Sequence, residues 1–187
     1  MIVIWLAMAA VVLTTTVAVV YNRLVRDRNR VDAAWSDIDV QLQRRHDLIP
    51  QLVEAVAQYA DYERATIEAV TLLRSAAMKA SDVSERGKVE EELGSGVTRL
   101  LAVAENYPDL KANENFLKLQ AELVETEDYL QFARRYYNGS VREFNTRAQT
   151  IPNNVIAKGF GFAERVYFQK SSDEVAAVPL VELGSIE

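Results

Sequence analysis

Few residues in this chain could do chemistry. His46 is the only histidine and there is no cysteine, which removes thiolate nucleophiles, disulfides and zinc–thiolate sites. A di-metal site inside a helical bundle needs glutamates from two helices and a Glu-x-x-His pair from each of two others. No Glu precedes His46 by three residues and no second histidine exists. Arg44-Arg45-His46-Asp47 could hold a small anion at a helix start, but a turn with Asp47 as N-cap accounts for the same residues more simply. Glu114, Glu122, Glu125, Glu127 and Asp128 are the wet face of one helix, because an oxygen-only metal cage needs convergent ligands. No glycine-rich phosphate loop, nucleophile elbow or Ser–His–Asp order is present. The expectation is a protein with no catalytic residue, no cofactor and no metal, since one histidine leaves little acid–base chemistry.

The charge balance narrows the partners. A formal net charge of −6 and a pI near 5.0 give no clustered positive surface for phosphates, so no nucleic acid is expected.

What must position these residues begins with 2–20, IVIWLAMAAVVLTTTVAVV, which contains no charge, glycine or proline. As a helix it spans about 28 Å, close to the roughly 30 Å hydrocarbon core of a bilayer. Thr14, Thr15 and Thr16 are tolerable there, because their hydroxyls can bond back to the preceding turn. Arg23, Arg26, Arg28 and Arg30 follow and only Met1 precedes. This predicts an uncleaved single-pass anchor of the inner membrane, N-terminus outside and body in the cytoplasm. A cleaved signal would need a basic n-region and a small-residue site, and Tyr21-Asn22-Arg23 is not one. A buried core helix is disfavoured by an apolar surface all round.

Periodicity beyond the anchor is helical throughout. Val31, Trp35, Ile38 and Leu42 make one stripe, after which a turn is expected near Arg45-His46. A second helix then runs from Leu48 to Met78, with Asp47 as cap, Pro50 in its first turn and Leu52, Val56, Tyr59, Ile67, Val70, Leu73 and Ala77 inward. Its solvated face includes Glu54, Asp61, Glu63, Arg64 and Glu68. A polar connector over 79–88, capped by Ser81 or Ser84, leads to a third helix over Val89–Asn106, in which Gly94 and Gly96 permit close helix approach. A turn at Asn106-Tyr107-Pro108-Asp109 precedes the clearest helix. Phe116, Leu119, Leu123, Thr126, Leu130, Ala133, Tyr137 and Phe144 hold its three–four alternation, Asn113 or Asp109 caps it, and it ends before Ile151-Pro152. The fold class is therefore all-α: a transmembrane helix continuing into an antiparallel up-down-up-down four-helix bundle or coiled coil. The division is 1–20 anchor, 21–150 bundle, 151–170 aromatic and glycine-bearing tail near the membrane, and 171–187 disordered.

Two further groups could make contacts. Tyr21-Asn22-x-x-Val25-Arg26-x-x-Asn29 recurs as Tyr137-Asn138-x-x-Val141-Arg142-x-x-Asn145, which predicts a membrane-proximal polar contact of Asn22 with Asn145 and Asn29 with Asn138. In the tail, Phe160, Phe162, Tyr167 and Phe168 could insert at the bilayer interface or close the open end of the bundle.

The runs over 21–60, 100–128 (LLAVAENYPDLKANENFLKLQAELVETED), 133–145 (ARRYYNGSVREFN) and 151–162 (IPNNVIAKGFGF) closely resemble the bacterial LemA family, in order and over about residues 21–168. The resemblance implies an N-terminal membrane anchor and an antiparallel helical bundle, and brings no catalytic residues. Relatives in magnetosome formation and beside membrane metalloproteases hint at membrane organisation or quality control. The expected function is a membrane-anchored scaffold or adaptor that contacts the lipid bilayer, forms homo-oligomers and binds an unidentified membrane protein. The alternative is an enzyme, or an accessory subunit of a membrane enzyme such as a protease.

Overall fold

Anchor and body share one rod. In a computed structural model that describes residues 1–59 and 63–168, α1 runs unbroken from Ile2 to Ala57, 56 residues, or about 84 Å of helix. Its apolar N-terminal part is long and apolar enough to cross a membrane, and none of it is buried against the rest of the described chain. The hydroxyls of Thr14, Thr15 and Thr16 each donate to the carbonyl four residues back at 2.8 Å, which removes the cost of an unpartnered hydroxyl in lipid.

The turn predicted at Arg45-His46 is not there. α1 passes through Asp47 and Pro50, and the break falls between Ala57 and Arg64. Asp47, offered as a cap, is instead an exposed helix-interior residue that accepts from Gln43 at 2.8 Å. Pro50 explains the error. A proline inside a helix leaves the carbonyl four residues earlier without a donor and costs about 3 kcal/mol. That carbonyl belongs to His46, and Nε of Arg74, from α2 (Arg64–Lys79), donates to it at 2.7 Å. Continuing the rod also buries Leu48, Ile49, Leu52 and Val56, at about 1.5–3 kcal/mol each. The balance favours helix.

α3 (Val83–Ala104) begins earlier than the Val89 that the patterning predicts, and its cap is Asp82 rather than Ser81 or Ser84. The Asp82 carboxylate accepts from the backbone N–H of Ser84 and Glu85 at 2.9 and 3.1 Å, satisfying donors that a helix start leaves open. α2 approaches α3 closely at Gly96, where an added Cβ would lie 3.2 Å from a Val70 methyl. A single helical turn, α4 (Pro108–Lys111), begins inside the predicted turn at 106–109 and runs past it. α5 (Glu114–Gln149) is capped by the Asn113 side chain and stops ahead of Ile151-Pro152. Every predicted seam residue of α5 is buried. α6 (Asn153–Gly159) follows, and a turn at Phe160-Gly161 leads into a segment without regular secondary structure over 162–168 that completes the described chain. The described residues contain six helices and no strand. The expected disorder of 171–187, and Asp61, lie outside the described residues.

α1 and α5 pair antiparallel, fixed by Asp27–Arg147 at 2.5 Å, Arg30–Glu143 at 2.8 Å and Arg44–Glu125 at 2.8 Å. The apolar interior comes in two parts. One, nearer the anchor, joins Leu24 to Leu42 of α1 with Leu130 to Ala148 of α5, Ala157 and Phe168. The other joins Leu48 to Val56 with α2, α3, Leu110 and Phe116 to Leu123. Polar residues separate them.

Arg74→Ala should cost about 1–3 kcal/mol by orphaning the His46 carbonyl. Pro50→Ala should restore most of that in the Arg74→Ala background, because residue 50 then supplies its own N–H. Urea unfolding of the full chain in detergent, run as a double-mutant cycle, measures both.

Candidate functional site

Between the two apolar interiors lies a buried ionic node. Leu42 and Leu48 bracket Arg45 and His46 on α1, and Leu123 and Leu130 bracket Thr126 and Glu127 on α5. His46 is 2% exposed and Glu90 of α3 is 0% exposed. In the Nε2–H tautomer, His46 donates to a Glu90 carboxylate oxygen at 2.7 Å. Arg45 donates to the Glu90 carbonyl at 3.3 Å, and its guanidinium lies 3.6 and 3.5 Å from the carboxylates of Glu90 and Glu127. Gly94 makes room for it, since an added Cβ would fall 2.5 Å from an Arg45 nitrogen. Burial pushes the Arg134 guanidinium below its usual value; Glu127 opposes that shift and Arg45 adds to it.

Neither side chain of this pair reaches solvent: His46 and Glu90 are both buried. Its effect is mechanical: one set of charges fixes the registers of α1, α3 and α5 together. Among the described residues no group of acids and histidines converges as a metal site. Sequence patterning misses Glu90, yet a signal exists. Glu90 shares the inner register of Leu93, Val97 and Leu100, where a carboxylate has no reason to stand unless a partner awaits it.

A second polar assembly fastens the tail. Asn145 donates to the Arg165 carbonyl and accepts from the Arg165 N–H, both at 2.9 Å. Asn138 does the same with Phe168, at 3.0 and 2.9 Å. Seven helical residues rise about 10.5 Å and three extended ones about 10 Å, so asparagines seven apart match peptide units three apart. Each amide presents one donor and one acceptor, as a peptide does. The side chains therefore act as a strand edge mounted on a helix. Tyr137 adds a bond from its hydroxyl to the Val166 carbonyl at 2.8 Å. Burial holds that phenol above its usual value, with Arg165 opposing and Asp32 reinforcing, which keeps it a donor. Arg165 also pairs with Asp32 of α1 at 2.7 Å.

The asparagine echo is thus used unequally. Asn138 and Asn145 hold the tail, while Asn22 and Asn29 stand exposed on α1, so the amides of the two copies are not brought together. The tail aromatics divide as well. Phe168 is buried beside Trp35 and beneath the Arg134 guanidinium, with ring centroids 5.7 Å apart and the cation 5.1 Å from the ring. Phe162 packs near Tyr21 and Phe144 with Arg28 over its face at 5.4 Å. Phe160 touches Tyr21 edge-on at 5.0 Å but is mostly exposed, and Tyr167 is also exposed. Of the flanking arginines, Arg30 pairs with Glu143, while Arg23 and Arg26 are exposed.

Glu90→Ala should cost about 3–5 kcal/mol, because Arg45 and His46 lose a buried partner; guanidinium unfolding followed by circular dichroism checks it. Asn138→Ala with Asn145→Ala should release the tail. Trypsin should then cut after Arg165 much faster than in the parent, with the melting temperature falling less than for Glu90→Ala.

The chain has recognisable relatives. Protein LemA of Metamycoplasma hominis is 29% identical, over 87% of this chain and 74% of that protein. Magnetosome protein MamQ 2 of Paramagnetospirillum magneticum is 24% identical and magnetosome protein MamQ of Magnetospirillum gryphiswaldense 23%, each over 87% of this chain and 70% of the relative. The model of the LemA family matches residues 34–183, a range that takes in the buried node and both asparagines of the tail clamp. On that match the chain belongs to the LemA family.

Proposed function

We propose that this protein is a single-pass membrane-anchored scaffold. Residues 2–20 span the inner membrane with the N-terminus outside. The body stands in the cytoplasm as an up-down-up-down bundle that binds further copies of itself, and through them a membrane protein partner. The basic flank of Arg23, Arg26, Arg28 and Arg30 supports this orientation. Two relatives are magnetosome proteins by name, which fits a part in an assembly.

The observation that carries the reading is the outer face of α5. Tyr129, Phe132 and Tyr136 follow one another at spacings of three and four, and each is exposed, Phe132 to 67%. The opposite face of the same helix is consumed by packing, and among the described residues the stripe meets only the neighbouring Arg135 guanidinium, 5.5 Å over the Phe132 ring. Clustered exposed aromatics mark contact surfaces. A second copy is the occupant favoured here, because anchoring confines copies to one plane in one orientation and raises their effective concentration. The sealed His46–Glu90 pair supports binding over turnover, since the one imidazole is committed to holding the body together.

Mass photometry of the full chain in mild detergent should show oligomers. Phe132→Glu with Tyr136→Glu should reduce them to monomers without changing helix content, as both side chains point outward. A wild-type chain that is monomeric at every concentration would contradict self-association, and oligomers that persist in the variant would contradict the assigned face.

A further inference from the structure

We infer that α6 and its flanks form a second, peripheral contact with the bilayer, in which Ile151, Val155 and Phe160 enter the headgroup region beside the point where α1 leaves it. The inference rests on the reading that residues 2–20 span a membrane, and adds a surface to it.

Three observations converge. Ile151 is 81% exposed, Val155 71% and Phe160 58%, although the inner side of this element is well packed through Ala157 and Ile156. In water such a group is costly, and nothing in the described chain covers it. Next, its height is fixed. Val20, the last residue of the apolar segment, packs in the same cluster as Ile156 and Phe162, and the Tyr21 ring meets Phe160 at 5.0 Å. Because α1 is unbroken from Ile2 to Ala57, a spanning segment necessarily places Val20 at the hydrocarbon boundary and α6 beside it. Lastly, the surrounding charges suit a lipid surface. Lys158, Arg23 and Arg26 are exposed around the apolar group and make no ion pair with the described residues, so they are available to anionic headgroups. Aromatic and aliphatic side chains of a short element lying in the interface bury to about 5–10 Å. The same element would also brace α1 against tilting, since it touches the membrane at a second point.

The absence of cysteine makes the test direct. Leu13→Cys, Ile151→Cys, Val155→Cys and Glu105→Cys, each labelled with an environment-sensitive fluorophore, would be placed in nanodiscs holding one copy of the full chain and doped with nitroxide lipids. The expected result is quenching at Ile151 and Val155 several-fold above that at Glu105, stronger with anionic than with zwitterionic lipid, and strong quenching at Leu13. If Leu13 is quenched while Ile151 and Val155 match Glu105, the second contact is wrong and the anchor stands. If Leu13 is not quenched either, both fall. Shielding of Val155 that appears only when two copies share a disc, without lipid quenching, would assign this surface to a second copy and overturn the inference.

Discussion

The structure depends on a helix that does not stop. A proline at position 50 and an aspartate at 47 suited to capping a new helix give α1 every local reason to end, and the chain would then be a short anchor followed by a jointed body. It continues because a guanidinium from α2 supplies the donor that Pro50 lacks, 2.7 Å from the His46 carbonyl. That one exchange makes anchor and body a single rod. It also sets the position of everything else, because α5 lies along the rod in antiparallel register and the tail returns along both.

The rod then carries charge where a helical body would usually be apolar. Dividing the core with Arg45, His46 and Glu90 sacrifices hydrophobic burial, and a buried ion pair seldom repays its desolvation in stability. What it adds is discrimination. Apolar seams of Leu, Val and Ala tolerate a slip of one turn, whereas a slip here would leave a carboxylate and a guanidinium in oil. The asparagine clamp follows the same logic farther down. The tail could lie on α5 in several registers by packing alone, but two amides reading two peptide units, with the Tyr137 hydroxyl bonded to the Val166 carbonyl between those units, admit one.

Much of this was legible in the residues, and the failures share a cause. The α5 seam, the Asn113 cap and the stop at Ile151-Pro152 all depend on neighbours within a few positions. The α1 boundary does not: Asp47-x-x-Pro50 looks like a helix start because Arg74, which cancels the proline, is remote in sequence. The same is true of Glu90, whose partners are on another helix, and of Asn138 and Asn145, whose seven-residue spacing is visible while the extended tail it matches is not. Phe168 reads as an interfacial aromatic until the clamp is seen to draw it between Trp35 and Arg134. Local chemistry announces elements. Compensation between distant elements has to be seen in the fold.

A body rigidly joined to its anchor suits a protein that presents a surface at a fixed height above a membrane. The account therefore stands on continuity through Val20 and Tyr21, and a nitroxide scan of single cysteines over residues 12–32 in lipid bilayers tests it. Oxygen accessibility should be high up to Val19, fall past Tyr21, and keep an unbroken 3.6-residue modulation across the boundary, with Leu24, Val31 and Ala34 at the minima. Loss of that periodicity between 19 and 24, or a segment 12–19 open to a water-soluble relaxant, would contradict it.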